Sequence, residues 1–63
     1  MIKVLLAEDE EMIRDALASL LGAEEDITVV AAVADGRAAV YEALNRRPDV
    51  VVVDLEMPEL DGL

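Results

Sequence analysis

Four consecutive valines, Val50–Val53, ending at Asp54, constrain the fold of this chain more than any other stretch. β-Branched residues favour extended backbone, and a run without polar alternation predicts a buried parallel strand covered by helices on both faces. Ligands of open parallel sheets bind just beyond the carboxyl ends of the strands, so we expect Asp54 to lie at the functional edge. Pro58 cannot continue a strand ladder, which predicts a loop over residues 55–59.

Two earlier stretches also have the pattern of strands. The apolar run Ile2–Ala7 is broken at Glu8, and its length suits a first strand better than a helix. A second strand is predicted over Ile27–Val33, which is rich in β-branched residues. We expect one side of it to carry Ile27, Val29, Ala31 and Val33.

Helical spacing follows the first strand and indicates an amphipathic helix from Glu11. Its expected apolar stripe consists of Ile13, Ala16, Leu17, Leu20 and Leu21. The acids at 9–11 suit the positive end of the helix dipole, and Arg14 is expected to face solvent. Gly22, just past the last leucine, is expected as the C′ residue.

A second helix is predicted over residues 36–45, between the second and third strands. Asp35 is expected to be its N-cap, because a short carboxylate can accept a hydrogen bond from the first helical turn. Its expected apolar face carries Val40, Ala43 and Leu44. Arg46 and Arg47 suit the negative end of the helix dipole, and Pro48 prevents continuation.

The order strand, helix, strand, helix, strand predicts an α/β fold built as one βαβαβ unit. Crossover connections between parallel strands are right-handed, so helices on opposite faces require the third strand to lie beside the first. The predicted strand order is therefore 2-1-3. The carboxyl ends of strands one and three become neighbours, and Glu8, Asp9 and Asp54 are expected to converge there.

The charge of the chain excludes several classes of partner. Acidic residues outnumber basic ones 15 to 5, giving a formal net charge of −10, so phosphate backbones and anionic membranes would repel the segment. We expect no direct nucleic-acid contact and no membrane association. The absence of cysteine and histidine excludes disulfides and thiolate or imidazole zinc sites. The first apolar run is too short for a signal peptide, so a soluble, cytoplasmic chain is expected.

Three converging carboxylates repel one another unless one is protonated or a cation intervenes. A hard divalent cation such as Mg²⁺ accepts oxygen ligands and keeps part of its water. A carboxylate is ionised at neutral pH and can attack phosphorus to form an aspartyl phosphate. Taken alone, the acids at 8–11 are typical of a solvated helix start, whereas Asp54 at a strand end favours a functional role. Glu56, Glu59 and Asp61 are expected to be solvated loop side chains.

Two motifs resemble those of a known family. Residues 4–10, VLLAEDE, look like the acidic-pair motif of bacterial response-regulator receiver domains, and residues 53–62, VDLEMPELDG, look like their phosphoacceptor motif. The resemblance covers the whole chain as the amino-terminal half of one receiver domain. It implies a partial flavodoxin-like, doubly wound parallel sheet that ends before its last two strands, with the output domain outside residues 1–63.

The resemblance also implies roles for individual residues. Asp54 would be the phosphoacceptor and a metal ligand, and the phosphoryl donor would be a sensor histidine kinase. Asp9 would bind Mg²⁺ directly, Glu8 through water, and the backbone carbonyl of Glu56 would be a further ligand. Residues 10–17 and 35–39 look like receivers that precede a LuxR-type helix-turn-helix domain, which implies a DNA-binding output.

The chain also departs from the family pattern. In a receiver, the Ser or Thr that contacts the phosphoryl group and the Lys that pairs with it lie on elements that follow the region resembled by residues 1–63. The third strand is left with an open apolar edge, which favours a homodimer or another strand-edge association. A truncation, a fragment and a swapped assembly are all compatible with this pattern.

Two other functions compete with the signalling one. The strand-Asp-x-acid pattern also resembles the nucleophile motif of haloacid-dehalogenase-type phosphatases, with Glu56 as general acid. That family prefers Asp at this position and carries the motif on its first strand. The other alternative is a non-phosphorylated dimerisation module. An EF-hand calcium loop starting at Asp54 is excluded, because Glu59 occupies the position that requires glycine.

Overall fold

The computed structural model describes residues 1–54, which form a three-stranded parallel sheet and two helices. In chain order the elements are β1 (Ile2–Ala7), α1 (Glu11–Gly22), β2 (Ile27–Val33), α2 (Gly36–Arg46) and β3 (Val50–Val53). The strands are hydrogen-bonded in the order β2-β1-β3. The predicted α/β class, element order and 2-1-3 topology are confirmed. The loop predicted over 55–59 lies outside the described residues.

Strand β1 forms the core of the sheet. Its residues Val4 to Ala7 are at most 3% exposed, and Leu5 and Leu6 are fully buried. Successive strand residues point to opposite faces, so four buried residues in a row require cover on both faces. The crossover from β1 to β2 and the crossover from β2 to β3 move in opposite directions across the sheet. Because both are right-handed, α1 and α2 lie on opposite faces and provide that cover.

Strand β3 is more exposed than the sequence indicates. Val50, Val51 and Val52 are 46%, 44% and 37% exposed, so the prediction of a buried strand is wrong here. Among the described residues, β3 pairs with β1 alone, from Val50 opposite Val4 to Val53 opposite Ala7. The central place belongs to β1, and a run of valines predicts a strand without specifying its place in the sheet.

Strand β2 changes register along its length. Its pairing with β1 moves from Val29 directly to Ala31, which leaves Val30 as an extra residue. Side chains alternate between the two faces of a sheet. After the extra residue, each alternate side chain of β2 therefore lies on the opposite face from the one that it would otherwise occupy. The prediction that four alternate residues from Ile27 to Val33 share one side is therefore wrong.

The face of α1 that packs on the sheet differs from the predicted stripe. The least exposed positions of this helix are Arg14, Leu17, Ala18 and Leu21. Leu17 and Leu21 were predicted correctly, whereas Ile13, Ala16 and Leu20 are exposed, Leu20 to 68%. Helical periodicity is compatible with more than one apolar stripe along α1. The helix packs mainly on β2, and this packing buries the stripe centred on Leu17 and Ala18.

The face of α2 that packs on the sheet consists of small residues. Gly36 and Ala39 are buried and Ala43 is half-buried, whereas the predicted Val40 and Leu44 are 45% and 74% exposed. Ala39 packs in a cluster with Ala7, Val33 and Val53, near the carboxyl ends of all three strands. Small side chains let the helix backbone approach this end of the sheet closely.

The ends of α2 are specified by hydrogen bonds. The Asp35 carboxylate accepts a hydrogen bond of 2.7 Å from the backbone N–H of Ala38, which confirms the predicted N-cap. The helix ends at Arg46, one residue later than predicted. Arg47 has a left-handed backbone, with φ of 48°, and its N–H donates to the Ala43 carbonyl over 3.0 Å.

Gly22 does not terminate α1 as a C′ residue, so that prediction is wrong. It is the last residue of the helix, and Ala23 follows with a right-handed backbone, φ of −76°. The Ala23 N–H donates to the Ser19 carbonyl over 3.1 Å, so an ordinary helical bond closes the last turn. This geometry requires no left-handed residue.

Both helices are short compared with a bilayer. α1 has 12 residues and α2 has 11, whereas a spanning helix needs about 20 apolar residues. Within residues 1–54, neither helix is long and apolar enough to cross a membrane.

Candidate metal centre

The parallel pairing of β1 and β3 brings two acidic strand ends together. Ala7 and Val53 are opposite each other at the ends of the strands, so Glu8 and Asp54 leave the sheet side by side. The backbone N–H of Asp54 donates to the Ala7 carbonyl over 3.2 Å and extends the pairing by one residue. The backbone of Asp54 is therefore aligned with the end of β1.

Glu8, Asp9 and Asp54 form an acidic cluster at this edge. Each offers a carboxylate oxygen, and the three oxygens lie within 4.8 Å of one another. Glu8 is only 6% exposed, Asp54 is half-buried and Asp9 is exposed. The structure thus brings together the three side chains that the topology predicted to converge. Glu56, whose carbonyl was expected as a further ligand, lies outside the described residues.

The backbone of Glu8 is held on both sides. Its N–H donates to the Val33 carbonyl over 2.9 Å, which ties it to the end of β2. Its carbonyl oxygen accepts a hydrogen bond of 2.9 Å from Nη1 of Arg14 in α1. Three elements of the fold, β1, β2 and α1, therefore position this residue.

The environment of Glu8 favours its protonated form. Burial raises the pKa of the Glu8 carboxyl above its ordinary value of 4.5. A hydrogen bond to the Asp54 carboxylate and the negative charge of Asp54 raise the pKa further, and Asp9 adds a smaller repulsion. A hydrogen bond from the backbone N–H of Glu10 acts in the opposite direction. Burial and the neighbouring negative charges therefore oppose ionisation of the Glu8 carboxyl.

The acidic cluster fits a hard divalent cation. It offers three oxygen donors of the kind that Mg²⁺ prefers, and its negative charge would balance that of the ion. Ligand oxygens around octahedral Mg²⁺ lie about 3–4 Å apart, given metal–oxygen distances of about 2.1 Å. Separations within 4.8 Å thus need only small side-chain rotations to fit. A bound cation would reduce the repulsion among the three carboxylates.

Arg14 is a residue of this region whose contact the sequence analysis missed. It was expected in solvent, but it is half-buried and its guanidinium contacts the Glu8 carbonyl. The sequence held a signal, because Arg14 lies three, four and seven residues before Leu17, Ala18 and Leu21. That spacing places all four on one helix face.

Comparison with known families is consistent with this geometry. The model of the response regulator receiver domain matches residues 4–63. The match includes all three members of the acidic cluster. It favours the signalling interpretation over the phosphatase alternative.

Curated relatives of two kinds share this sequence. The chain is 45% identical to a protein-glutamate methylesterase/protein-glutamine glutaminase of Nocardioides sp., over 98% of the chain and 17% of the relative. It is 44% identical to YvfU of Bacillus subtilis, an uncharacterised transcriptional regulatory protein, over 100% of the chain and 32% of that relative. It is also 44% identical to the transcriptional regulatory protein LiaR of B. subtilis, over 100% of the chain and 30% of the relative. The chain thus spans less than a third of the length of these relatives.

Proposed function

The chain belongs to the response regulator receiver domain family, and from this premise we propose that it accepts a phosphoryl group on Asp54 in two-component signalling. The observation that carries the proposal is the convergence of three carboxylates within 4.8 Å at the ends of β1 and β3. Such edges of parallel α/β sheets are where ligands bind. In this proposal the donor is a sensor histidine kinase in the cytoplasm.

Asp54 is the proposed nucleophile. One of its carboxylate oxygens attacks phosphorus, and a new P–O bond forms while the P–N bond to the donor histidine breaks. The imidazole leaves with the bonding electron pair and takes up a proton. Partial burial keeps the Asp54 side chain at the sheet edge, and alignment of its backbone with Ala7 limits its movement.

The proposed Mg²⁺ ligands are the side chains of Glu8, Asp9 and Asp54 and the backbone carbonyl of Glu56. Bound Mg²⁺ would neutralise charge on the phosphoryl oxygens in the transition state. Asp9, which is exposed, would bind the ion directly, and the buried Glu8 would bind it through water. Because its surroundings raise the pKa of Glu8, the ion would compete with a proton for this carboxylate.

The output is proposed to be a separate domain, with residues 1–63 as the amino-terminal part of one receiver. Two transcriptional regulatory relatives match the full chain, which favours a DNA-binding output. The methylesterase relatives match it equally well and make an enzymatic output the second candidate. In either case the receiver segment would regulate the output without turning over a metabolite.

The exposed edge strand supports one other role, an association through β3. Val50, Val51 and Val52 are each more than a third exposed on a strand that is paired on one side within residues 1–54. Unpaired strand edges template pairing with another chain. A homodimer formed in this way would persist in the Asp54→Asn variant, and sedimentation velocity of both proteins would reveal it.

The experiment that tests the phosphoacceptor proposal is intact-mass spectrometry after incubation with acetyl phosphate, with and without Mg²⁺. We expect a single phosphoryl adduct that requires Mg²⁺ and is absent from Asp54→Asn. Asp9→Ala should weaken Mg²⁺ binding and slow labelling. Asp15→Asn is the matched control, because it removes the same charge from an exposed position on α1. Undiminished labelling of Asp54→Asn would overturn the assignment.

A further inference from the structure

We propose that Arg14 is a positioning residue for the acidic cluster. Its side chain holds the Glu8–Asp9 peptide in the orientation that brings the carboxylates of Glu8 and Asp9 close to that of Asp54. The inference rests on the proposed metal site and adds a residue outside the three carboxylates. Arg14 touches neither the phosphoryl group nor the metal in this role. It acts through the backbone of Glu8.

The position of Arg14 is unusual for a charged residue. It shares the sheet-facing side of α1 with Leu17, Ala18 and Leu21, and it is half-buried there. Charged side chains are rarely placed on such a face unless they have a partner. Here the partner is the Glu8 carbonyl oxygen, 2.9 Å from Nη1. The contact joins the first turn of α1 to the connection that carries the acids.

This contact completes the restraint on Glu8. The peptide before its Cα is held by the N–H bond to Val33, and the peptide after it by the bond from Arg14. Peptide units are planar, so fixing both planes fixes φ and ψ of Glu8 and with them the direction of its side chain. The second plane also contains the Cα of Asp9. One hydrogen bond from Arg14 therefore restrains two members of the acidic cluster.

An arginine suits this task chemically. A guanidinium is a charged donor, and a hydrogen bond from a charged donor is about twice as strong as a neutral one. Its long apolar stem can follow the helix surface and pack beside Leu17 and Ala18 while the head reaches the loop. A shorter or uncharged side chain would leave the Glu8 carbonyl to solvent.

The test compares Arg14→Met, Arg14→Lys and a matched control, Arg46→Met. Methionine keeps an unbranched apolar stem and the helix propensity but removes the donor. Arg46→Met removes the same charge at an exposed site, where Arg46 pairs with Glu42 over 2.9 Å. Circular dichroism establishes that each variant is folded. Backbone amide exchange without metal, Mg²⁺ affinity from NMR titration, and the acetyl phosphate labelling rate at saturating Mg²⁺ are then measured.

We expect Arg14→Met to raise the Kd for Mg²⁺ by about tenfold, as is typical when a group that orients a ligand is lost. Exchange of the Glu8 amide should accelerate by a similar factor. Labelling should recover towards the parent rate when Mg²⁺ is saturating, because the nucleophile is intact. Arg14→Lys should restore the affinity to within about threefold, since an ammonium also donates to a carbonyl. Arg46→Met should behave like the parent chain.

Several results would contradict the proposed role of Arg14. Parent-like Mg²⁺ affinity in Arg14→Met would overturn it while leaving the phosphoacceptor proposal intact. An equal loss of affinity in Arg46→Met would show that net charge, and not position, is responsible. A parent chain that neither binds Mg²⁺ nor becomes labelled would overturn the proposed function itself, and the inference would fall with it. Unfolding of Arg14→Met would leave the decision to Arg14→Lys. Its folded form should retain the slow Glu8 exchange of the parent, and fast exchange of this amide in folded Arg14→Lys would overturn the inference.

Discussion

Replacement of Leu6 by alanine should unfold much of this chain. Leu6 is fully buried in β1, the strand that both other strands pair with and that ends at Glu8. The substitution removes three carbon atoms, a transfer loss of about 2.4 kcal/mol at ~0.8 kcal/mol per group. The cavity left behind brings the expected cost to about 3–5 kcal/mol.

That cost is large compared with the total stability available. At about 0.05–0.15 kcal/mol per residue, a chain of 63 residues has a free energy of unfolding of roughly 3–9 kcal/mol. Leu6→Ala should therefore remove between a third and all of it. Because β1 delivers Glu8 to the acidic cluster, labelling by acetyl phosphate should fall with the folded fraction.

The matched control is Leu20→Ala on α1. Leu20 is 68% exposed, so about a third of its side chain leaves solvent on folding and the same transfer arithmetic gives a loss of about 0.8 kcal/mol. Alanine is also the better helix former, which reduces the loss further. Urea denaturation followed by circular dichroism measures both free energies. Equal costs at Leu6 and Leu20 would refute the assignment of the core to β1.

Two further predictions concern a helix cap and a titration. Asp35→Ala should lower the free energy of unfolding by about 1 kcal/mol in urea denaturation, because Asp35 caps α2. The control is Glu10→Ala, because within residues 1–54 the Glu10 side chain makes no capping bond to α1, and this change should cost less than about 0.5 kcal/mol. Similar costs for the two variants would contradict the capping role of Asp35. The raised pKa of Glu8 means that the folded chain binds this proton more tightly than the unfolded chain. The contribution of Glu8 to stability is therefore fully present below the ordinary pKa of 4.5 and is lost as pH rises through the raised pKa. Without Mg²⁺, the stability of the parent relative to Glu8→Gln should therefore increase as pH falls from neutral to about 4.5, and a difference that stays flat with pH would contradict the burial of a protonated Glu8.

Local patterns in the sequence were enough to predict the elements and their order. Each strand was recognised from a short apolar run, and Asp35 was recognised as a cap from its chemistry and position. The handedness of crossovers then converted the order of elements into the 2-1-3 sheet. Convergence of Glu8, Asp9 and Asp54 follows from that topology, because the ends of paired parallel strands are adjacent. These features depend on rules that hold for any chain.

Local patterns did not predict which residues are buried, or which register two strands adopt, where several arrangements satisfy the same pattern. The valines of β3 satisfy the local pattern of a buried strand. That pattern does not contain their exposure, which follows from the edge place that β3 has in the 2-1-3 order. The extra residue at Val30 depends on the register between β1 and β2, which the pattern of β2 does not contain. Similarly, helical periodicity left Ile13 and Leu20 as candidates for the core, and packing against the sheet excluded them.

The sequence by itself determined the βαβαβ order, the strand topology and the edge at which the acids meet. The tertiary structure decided the burial of each acid, the raised pKa of Glu8, and the contact of Arg14 with the Glu8 carbonyl. The physical reason is one of range. Periodicity, capping and crossover handedness act over a few residues or apply generally, whereas burial, register and pKa depend on atoms that only folding brings together.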